Sequence, residues 1–160
     1  MARSPYIKYP SRLADLIAAI QVMGTYRYAN RRVAKWEGRL GRKPVSAPDW
    51  KTLFLQHPEF FTFQDENVSL VWRRSHERNY DTHEHRTLSR DEAMAMAVND
   101  PETTEIQLSR PPLETTEVAK LIDVAISVHE REINHQQERR WWLTAVLGIL
   151  ALLVSIVVRH

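Results

Sequence analysis

The chain contains no cysteine, and this absence removes several kinds of chemistry at once. Without thiols it can build no disulfide framework, no thiolate metal site and no cysteine nucleophile. Glycine is also scarce, with 4 residues in 160, so there is little material for a glycine-rich phosphate-binding loop. The GxSxG, P-loop and HExxH motifs are missing as well. We therefore expect a protein that is not an enzyme and uses no cofactor.

Charge is distributed unevenly along the chain, although the net charge is only +2. Residues 1–80 contain 14 Lys and Arg against 7 Asp and Glu, whereas residues 81–138 contain 5 against 13. A run without any charge follows from 141 to 158. The sequence therefore predicts three physically different regions, namely a basic head, an acidic middle and an apolar tail.

The apolar run at 141–158 predicts a transmembrane helix. Its 18 residues would extend roughly 27 Å as a helix, close to the ~30 Å hydrocarbon core of a bilayer. A buried core helix is the alternative, but such helices usually keep a polar stripe, which this run lacks. Membrane-border residues precede and open the run: Arg139, Arg140, Trp141 and Trp142. Small residues recur on one side of it and favour helix packing in lipid: Thr144, Gly148, Ala151 and Ser155.

The basic head has the pattern of three short helices followed by a hairpin. The predicted helices cover 11–24, 30–40 and 46–57, and the predicted strands cover 60–64 and 68–73. Ser11 is placed to cap the first helix, Gly41 ends the second, and the third must end near His57 because Pro58 follows.

This order of elements resembles a winged-helix domain over roughly residues 11–80. The stretches YPSRLADLIAAIQVMGTYRY, HPEFF and SLVWRR, with ERRWW before the tail, are also similar to an uncharacterised group of bacterial tail-anchored membrane proteins. The resemblance implies a winged-helix-like head on a single-pass anchor and carries no catalytic residues. The predicted span has two positive charges on its N-terminal side, Arg139 and Arg140, and one on its C-terminal side, Arg159. We therefore expect a bacterial inner-membrane protein with its N-terminal domain in the cytoplasm.

Between head and anchor, the sequence predicts an acidic linker at 81–112 and a helical stalk at 113–140. Ser89 and Glu92 have the spacing of a capping box and predict a short helix at 89–98. From about 116 to 158 nothing breaks a helix except the tolerable Gly148, so stalk and span would form one rod. The upper part of the rod has an apolar stripe that needs a partner, either the head or a second copy: Val118, Leu121, Ile122, Ala125 and Val128.

Two groups of residues are candidate sites. His76, His83 and His85 are weak candidates for metal ligands, because 81–88 is interpreted as a solvated polar loop with no fixed ligand spacing. A basic surface comprises Arg27, Arg31, Arg32, Lys35, Arg39, Arg42 and Lys43. This surface suits nucleic acid, the anionic leaflet, the acidic middle segment of the chain or an acidic partner, and a solvated face without a partner is the remaining alternative. The third helix is a poor reader of base edges, since it offers mainly Lys51, Thr52, Gln56 and His57.

The sequence as a whole predicts a mainly α fold with a small β-hairpin, in which a winged-helix-like head at 1–80 is joined by a linker to a long C-terminal helix. The expected function is a membrane-tethered, non-catalytic interaction module that binds a protein partner or a second copy of itself. No small-molecule substrate is inferred. A membrane-anchored DNA-binding regulator is the alternative, with nucleic acid as a disfavoured partner, and a small oligomerising membrane effector or toxin is a third reading.

Overall fold

The computed structural model describes residues 4–158, without the side chains of 7, 103, 105, 106, 136, 138–145 and 147–158. Its helices are α1 Pro5–Lys8, α2 Arg12–Thr25, α3 Val33–Leu40, α4 Trp50–Gln56, a 3-10 helix Trp72–Ser75, α5 Arg90–Asn99, α6 Pro101–Gln107 and α7 Thr115–Val158. Its strands are β1 Arg31–Arg32, β2 Phe61–Gln64, β3 Asn67–Leu70, β4 Tyr80–Asp81, β5 Arg86–Thr87 and β6 Leu108–Ser109.

The strands form two small antiparallel sheets, with orders β1-β3-β2 and β5-β4-β6. The fold is therefore mixed α/β, whereas the sequence predicted one hairpin in a mainly α chain. The predicted hairpin is β2–β3, with Phe61 opposite Leu70 and Gln64 opposite Asn67. The remaining strands are two residues long, too short to show the alternation by which strands are recognised in sequence.

The core lies between α2 and the first sheet. Leu16, Ala19, Ile20 and Met23 of α2 recur at helical spacing, and all four are fully buried. They meet aromatic side chains from the following elements, of which Trp36, Trp50 and Phe54 are also fully buried. Ser11 occupies the predicted N-cap position of α2, but its side chain makes no capping hydrogen bond.

Two predicted boundaries are wrong for local reasons. Helix α4 begins at Trp50 rather than at Ser46, because Asp49 is the N-cap and accepts a hydrogen bond from the Thr52 N–H at 2.6 Å. Ser46 is instead buried, and its Oγ donates to Asp15 Oδ2 at 2.7 Å. The second predicted strand ends at Leu70 rather than at 73, because the chain turns into the 3-10 helix.

The segment predicted as a polar loop at 81–88 is a tight hairpin. Strand β4 pairs with β5 on one side and with β6 on the other. Asp81 orders the turn, since its Oδ1 accepts the N–H groups of His83 and Glu84 at 2.7 and 3.0 Å. The charged sequence gives no local signal for this hairpin, because β4 pairs with residues of β6 that lie 27 and 29 positions later along the chain. Helix α5 has the predicted capping box between Ser89 and Glu92.

Helix α7 belongs to the head over its first turns. Val118, Leu121 and Ala125 are buried in the same core cluster as α2, with Ile122 and Val128 packed at its edge. The apolar stripe thus finds its partner in the head, which resolves the alternative left open by the sequence. The helix then continues without interruption to Val158.

In the part of the chain that the structure describes, none of the helices combines the length and apolar character needed to cross a bilayer. The span predicted at 141–158 falls on side chains that lie outside the described ones, Val146 excepted. The same holds for the predicted border residues Arg139, Arg140, Trp141 and Trp142, and for the small residues Thr144, Gly148, Ala151 and Ser155.

Candidate interaction surface

Three of the predicted basic residues gather around two tyrosines. The guanidinium of Arg39 lies 4.4 Å from the centre of the Tyr26 ring, and that of Arg31 lies 5.1 Å from it. Arg31 and Arg27 lie 5.2 and 5.1 Å from the centre of the Tyr28 ring. The two rings are themselves 5.8 Å apart. We call these five residues the basic–aromatic surface.

The arginines change the chemistry of Tyr26. Partial burial raises the pKa of its hydroxyl, but a hydrogen bond with Arg39 and the charges of Arg31, Arg39 and Arg27 outweigh burial and lower the pKa below its usual value. Each of the three guanidinium groups also lies within cation–π distance of a tyrosine ring. The surface is therefore positively charged, with its arginines placed against the two rings.

The other predicted basic residues serve different purposes. Arg42 Nη2 lies 3.0 Å from Oδ1 of Asp15, whose side chain is fully buried, so Arg42 compensates an interior carboxylate. Arg32 pairs at 3.5 Å with Glu66 in the exposed turn between β2 and β3. Lys35 and Lys43 are exposed, and no ion pair in the described part of the chain includes either one.

The buried Arg73 positions this surface, and sequence reasoning missed its role. Its Nη1 donates to the carbonyl oxygens of Met23 at 2.9 Å, Tyr26 at 2.7 Å and Tyr28 at 3.3 Å. Its Nη2 donates to the Arg110 carbonyl oxygen at 2.6 Å. Burial lowers the pKa of Arg73 to about 10, partly offset by Tyr80. In the sequence Arg73 stands beside another arginine, Arg74, and nothing in this local pattern indicates that the Arg73 side chain is buried.

The exposed face of α4 is poorer in polar groups than predicted. His57 is fully buried, its Nδ1 lies 3.0 Å from Glu59 Oε1, and the Tyr6 hydroxyl donates to the same oxygen at 2.5 Å. His57 is therefore unavailable to a ligand, which corrects the prediction. Leu55, by contrast, is 58% exposed and gives this face an apolar character.

The three candidate metal-binding histidines lie in different surroundings. His76 Nε2 is 3.2 Å from Glu117 Oε1 on α7, and His85 Nε2 is 3.3 Å from Arg27 Nη1. His83 is exposed in the β4–β5 turn. Among the described residues, no three His, Asp or Glu side chains are grouped as metal ligands.

Comparison of the chain with protein-family models, curated proteins and solved structures found no match.

Proposed function

We propose that this protein is a membrane-tethered, non-catalytic interaction module whose head binds an acidic protein partner through the basic–aromatic surface. The observation that carries the proposal is the course of α7. One helix completes the core of the head at Leu121 and Ala125 and continues to Val158, through the 18-residue run without charge. If 141–158 lies in lipid, the head is attached to its anchor by a continuous helix instead of a flexible linker.

A winged-helix interpretation of the head is part of the proposal. Its support is the succession of α2, β1, α3, α4 and the β2–β3 hairpin, together with the sheet order β1-β3-β2. In this interpretation α4 corresponds to the recognition helix and the β2–β3 turn to the wing. A winged-helix fold has several surfaces that can bind a partner, and the side chains on each surface determine which one does.

The side chains favour a protein partner over DNA. The exposed positions of α4 include Lys51, Leu55 and Gln56, and the N-cap is the acidic Asp49. A largely exposed leucine suits a protein contact better than base-edge readout. The concentrated positive charge lies beside α3 instead, on the basic–aromatic surface. Holding partner and head at one membrane raises their effective concentration, so modest affinity suffices.

Two experiments test this proposal. A chain ending at Arg140 keeps every core residue of α7, so it should fold but leave the membrane fraction after alkaline extraction.

A photo-cross-linking amino acid at Lys35 of the full chain should capture one protein in membranes, and Arg31→Glu should abolish the adduct. The same probe at the exposed Lys120 of α7 is the matched control. Membrane retention of the shortened chain, or equal capture at both positions, would contradict the proposal.

The second candidate function is a membrane-held DNA-binding regulator, favoured by the sheet order and by the arginines around Tyr26 and Tyr28. Binding to phosphates releases counterions, so DNA affinity would fall steeply with salt. A gel shift with random and genomic DNA at rising salt tests it. Lack of binding at low salt removes this candidate and leaves the protein-binding proposal in place.

A further inference from the structure

A polar cavity of about 400 Å³ lies between the two sheets. One wall comes from the hairpin β2–β3 and the chain before β1, with Asn30 and Asn67 among its residues. The other wall comes from the 3-10 helix and the segment after it, and from β6 with the residue that follows it. Its volume falls within the ~300–1,000 Å³ range of small-molecule sites.

Three arginines line this cavity: Arg74, Arg78 and Arg110. Asp65 is the only carboxylate among the lining residues, so the walls carry an excess of positive charge. None of the ion pairs in the described part of the chain includes Arg74 or Arg110. Burial, followed by the charges of Arg74 and Arg78, lowers the pKa of Arg110. Arg110 is thus partly buried near two other positive charges, and an anion bound in the cavity would offset that repulsion.

Backbone contacts hold two of these arginines in place. Arg78 Nε donates to the Leu108 carbonyl oxygen at 2.8 Å, and Arg110 Nη1 donates to the His76 carbonyl oxygen. The Arg110 carbonyl oxygen accepts from the buried Arg73. Arginine clusters fixed in this way suit the bidentate recognition of phosphate oxygens, and the carboxamides of Asn30 and Asn67 add neutral donors.

We propose that this cavity is a binding site for a phosphoryl group, carried by a small molecule that the remaining volume accommodates. A dianionic phosphoryl group presents three oxygens, against two for a carboxylate, so it accepts hydrogen bonds from more arginine donors at once. The site differs from the basic–aromatic surface, which it adjoins through Tyr28, and it does not depend on the membrane anchor. The phosphoryl group could belong to a soluble phosphate ester or to a lipid headgroup.

The test uses the full chain in neutral detergent, titrated with inorganic phosphate against sodium chloride at matched ionic strength. Calorimetry should show saturable phosphate binding, and Arg74→Gln should weaken it at least tenfold. Lys43→Gln, which removes an exposed positive charge that does not line the cavity, is the matched control and should leave phosphate affinity unchanged. Because Arg74 is exposed, its replacement should not lower the melting temperature without phosphate. Equal effects of phosphate and chloride, or equal phosphate affinity in wild type and Arg74→Gln, would overturn the proposal.

A second arm distinguishes the two sources of the phosphoryl group. The arginine Nε–H resonances of Arg74 and Arg110 are recorded in nanodiscs of phosphatidylcholine with and without phosphatidic acid. Shifts induced by phosphatidic acid and reversed by inorganic phosphate assign the site to a lipid headgroup. Shifts caused by inorganic phosphate alone assign it to a soluble ligand. If neither addition shifts either resonance, the cavity does not bind a phosphoryl group and the proposal is refuted.

Discussion

The carbonyl oxygen of Gly24 accepts a hydrogen bond from the backbone N–H of Leu113 at 2.8 Å. This bond joins the end of α2 to the residue that leads into α7. A Cβ built on Gly24 would lie 3.1 Å from Val118 Cγ2 and 3.5 Å from Leu113 Cδ1. The absence of a side chain at Gly24 therefore lets the last helix approach the first long one.

A larger side chain at this position should separate the two helices. We expect Gly24→Leu to lower the free energy of unfolding by about 1–3 kcal/mol, as overpacking in cores does. Gly38 has open space around its Cβ position and lies within α3, so Gly38→Leu should be neutral or stabilise by up to about 1 kcal/mol. Urea unfolding of both variants in detergent measures the difference. Equal destabilisation would show that the α2–α7 contact is not close.

Truncation of Leu121 tests whether α7 completes the core. Leu121 is buried, whereas Val124 is 46% exposed on the same helix. We expect Leu121→Ala to cost about 2–5 kcal/mol of unfolding free energy, because it leaves a cavity. Val124→Ala should stay within about 0.5 kcal/mol of wild type. If the two substitutions had the same small effect, the stripe on α7 would not be packed on the head.

Arg73 should be essential to both stability and the basic–aromatic surface. Arg73→Lys removes donors from the buried Met23 carbonyl oxygen and from three partly buried ones, and a buried unsatisfied group costs about 1–3 kcal/mol. The neighbouring Arg74 is exposed, and Arg74→Lys should be nearly neutral. Thermal unfolding gives the stability, and the Tyr26 and Tyr28 ring resonances report on the surface. Unchanged resonances in Arg73→Lys would refute its positioning role.

The pH dependence of α5 follows from Glu92. Its carboxylate accepts the Ser89 N–H and pairs with Arg86, and these contacts lower the pKa of Glu92 to about 2. A depressed carboxyl pKa stabilises the helix start at neutral pH, and this contribution is lost as pH falls from about 4.5 towards 2. A carbon-13 NMR titration measures the pKa directly. Arg86→Ala should raise it and the remote Lys51→Ala should not, so an unaltered value in Arg86→Ala would contradict the assignment.

The sequence predicts those parts of the fold whose cause lies in nearby residues. The helix ending at Gly41, the capping box at Ser89 and the β2–β3 hairpin each depend on signals a few residues apart. The second sheet and the internal Arg73 depend on partners 20 or more residues away, which no local pattern records. Of the predicted basic surface, Arg27, Arg31 and Arg39 come together around the tyrosines. Arg42 does not join them, because its carboxylate partner is buried in α2.

Labelling of single cysteines tests most directly the central claim that 141–158 lies in the membrane. Because the chain has no native cysteine, only the introduced one can react. Single cysteines at Leu143, Leu147, Leu150 and Val154 are introduced in turn, and the chain is reconstituted in liposomes. A membrane-impermeant maleimide should label none of the four until detergent is added, whereas Val124→Cys in the head should react at once. Reaction of the four cysteines in intact liposomes at the rate of the Val124 control would contradict a membrane-tethered head.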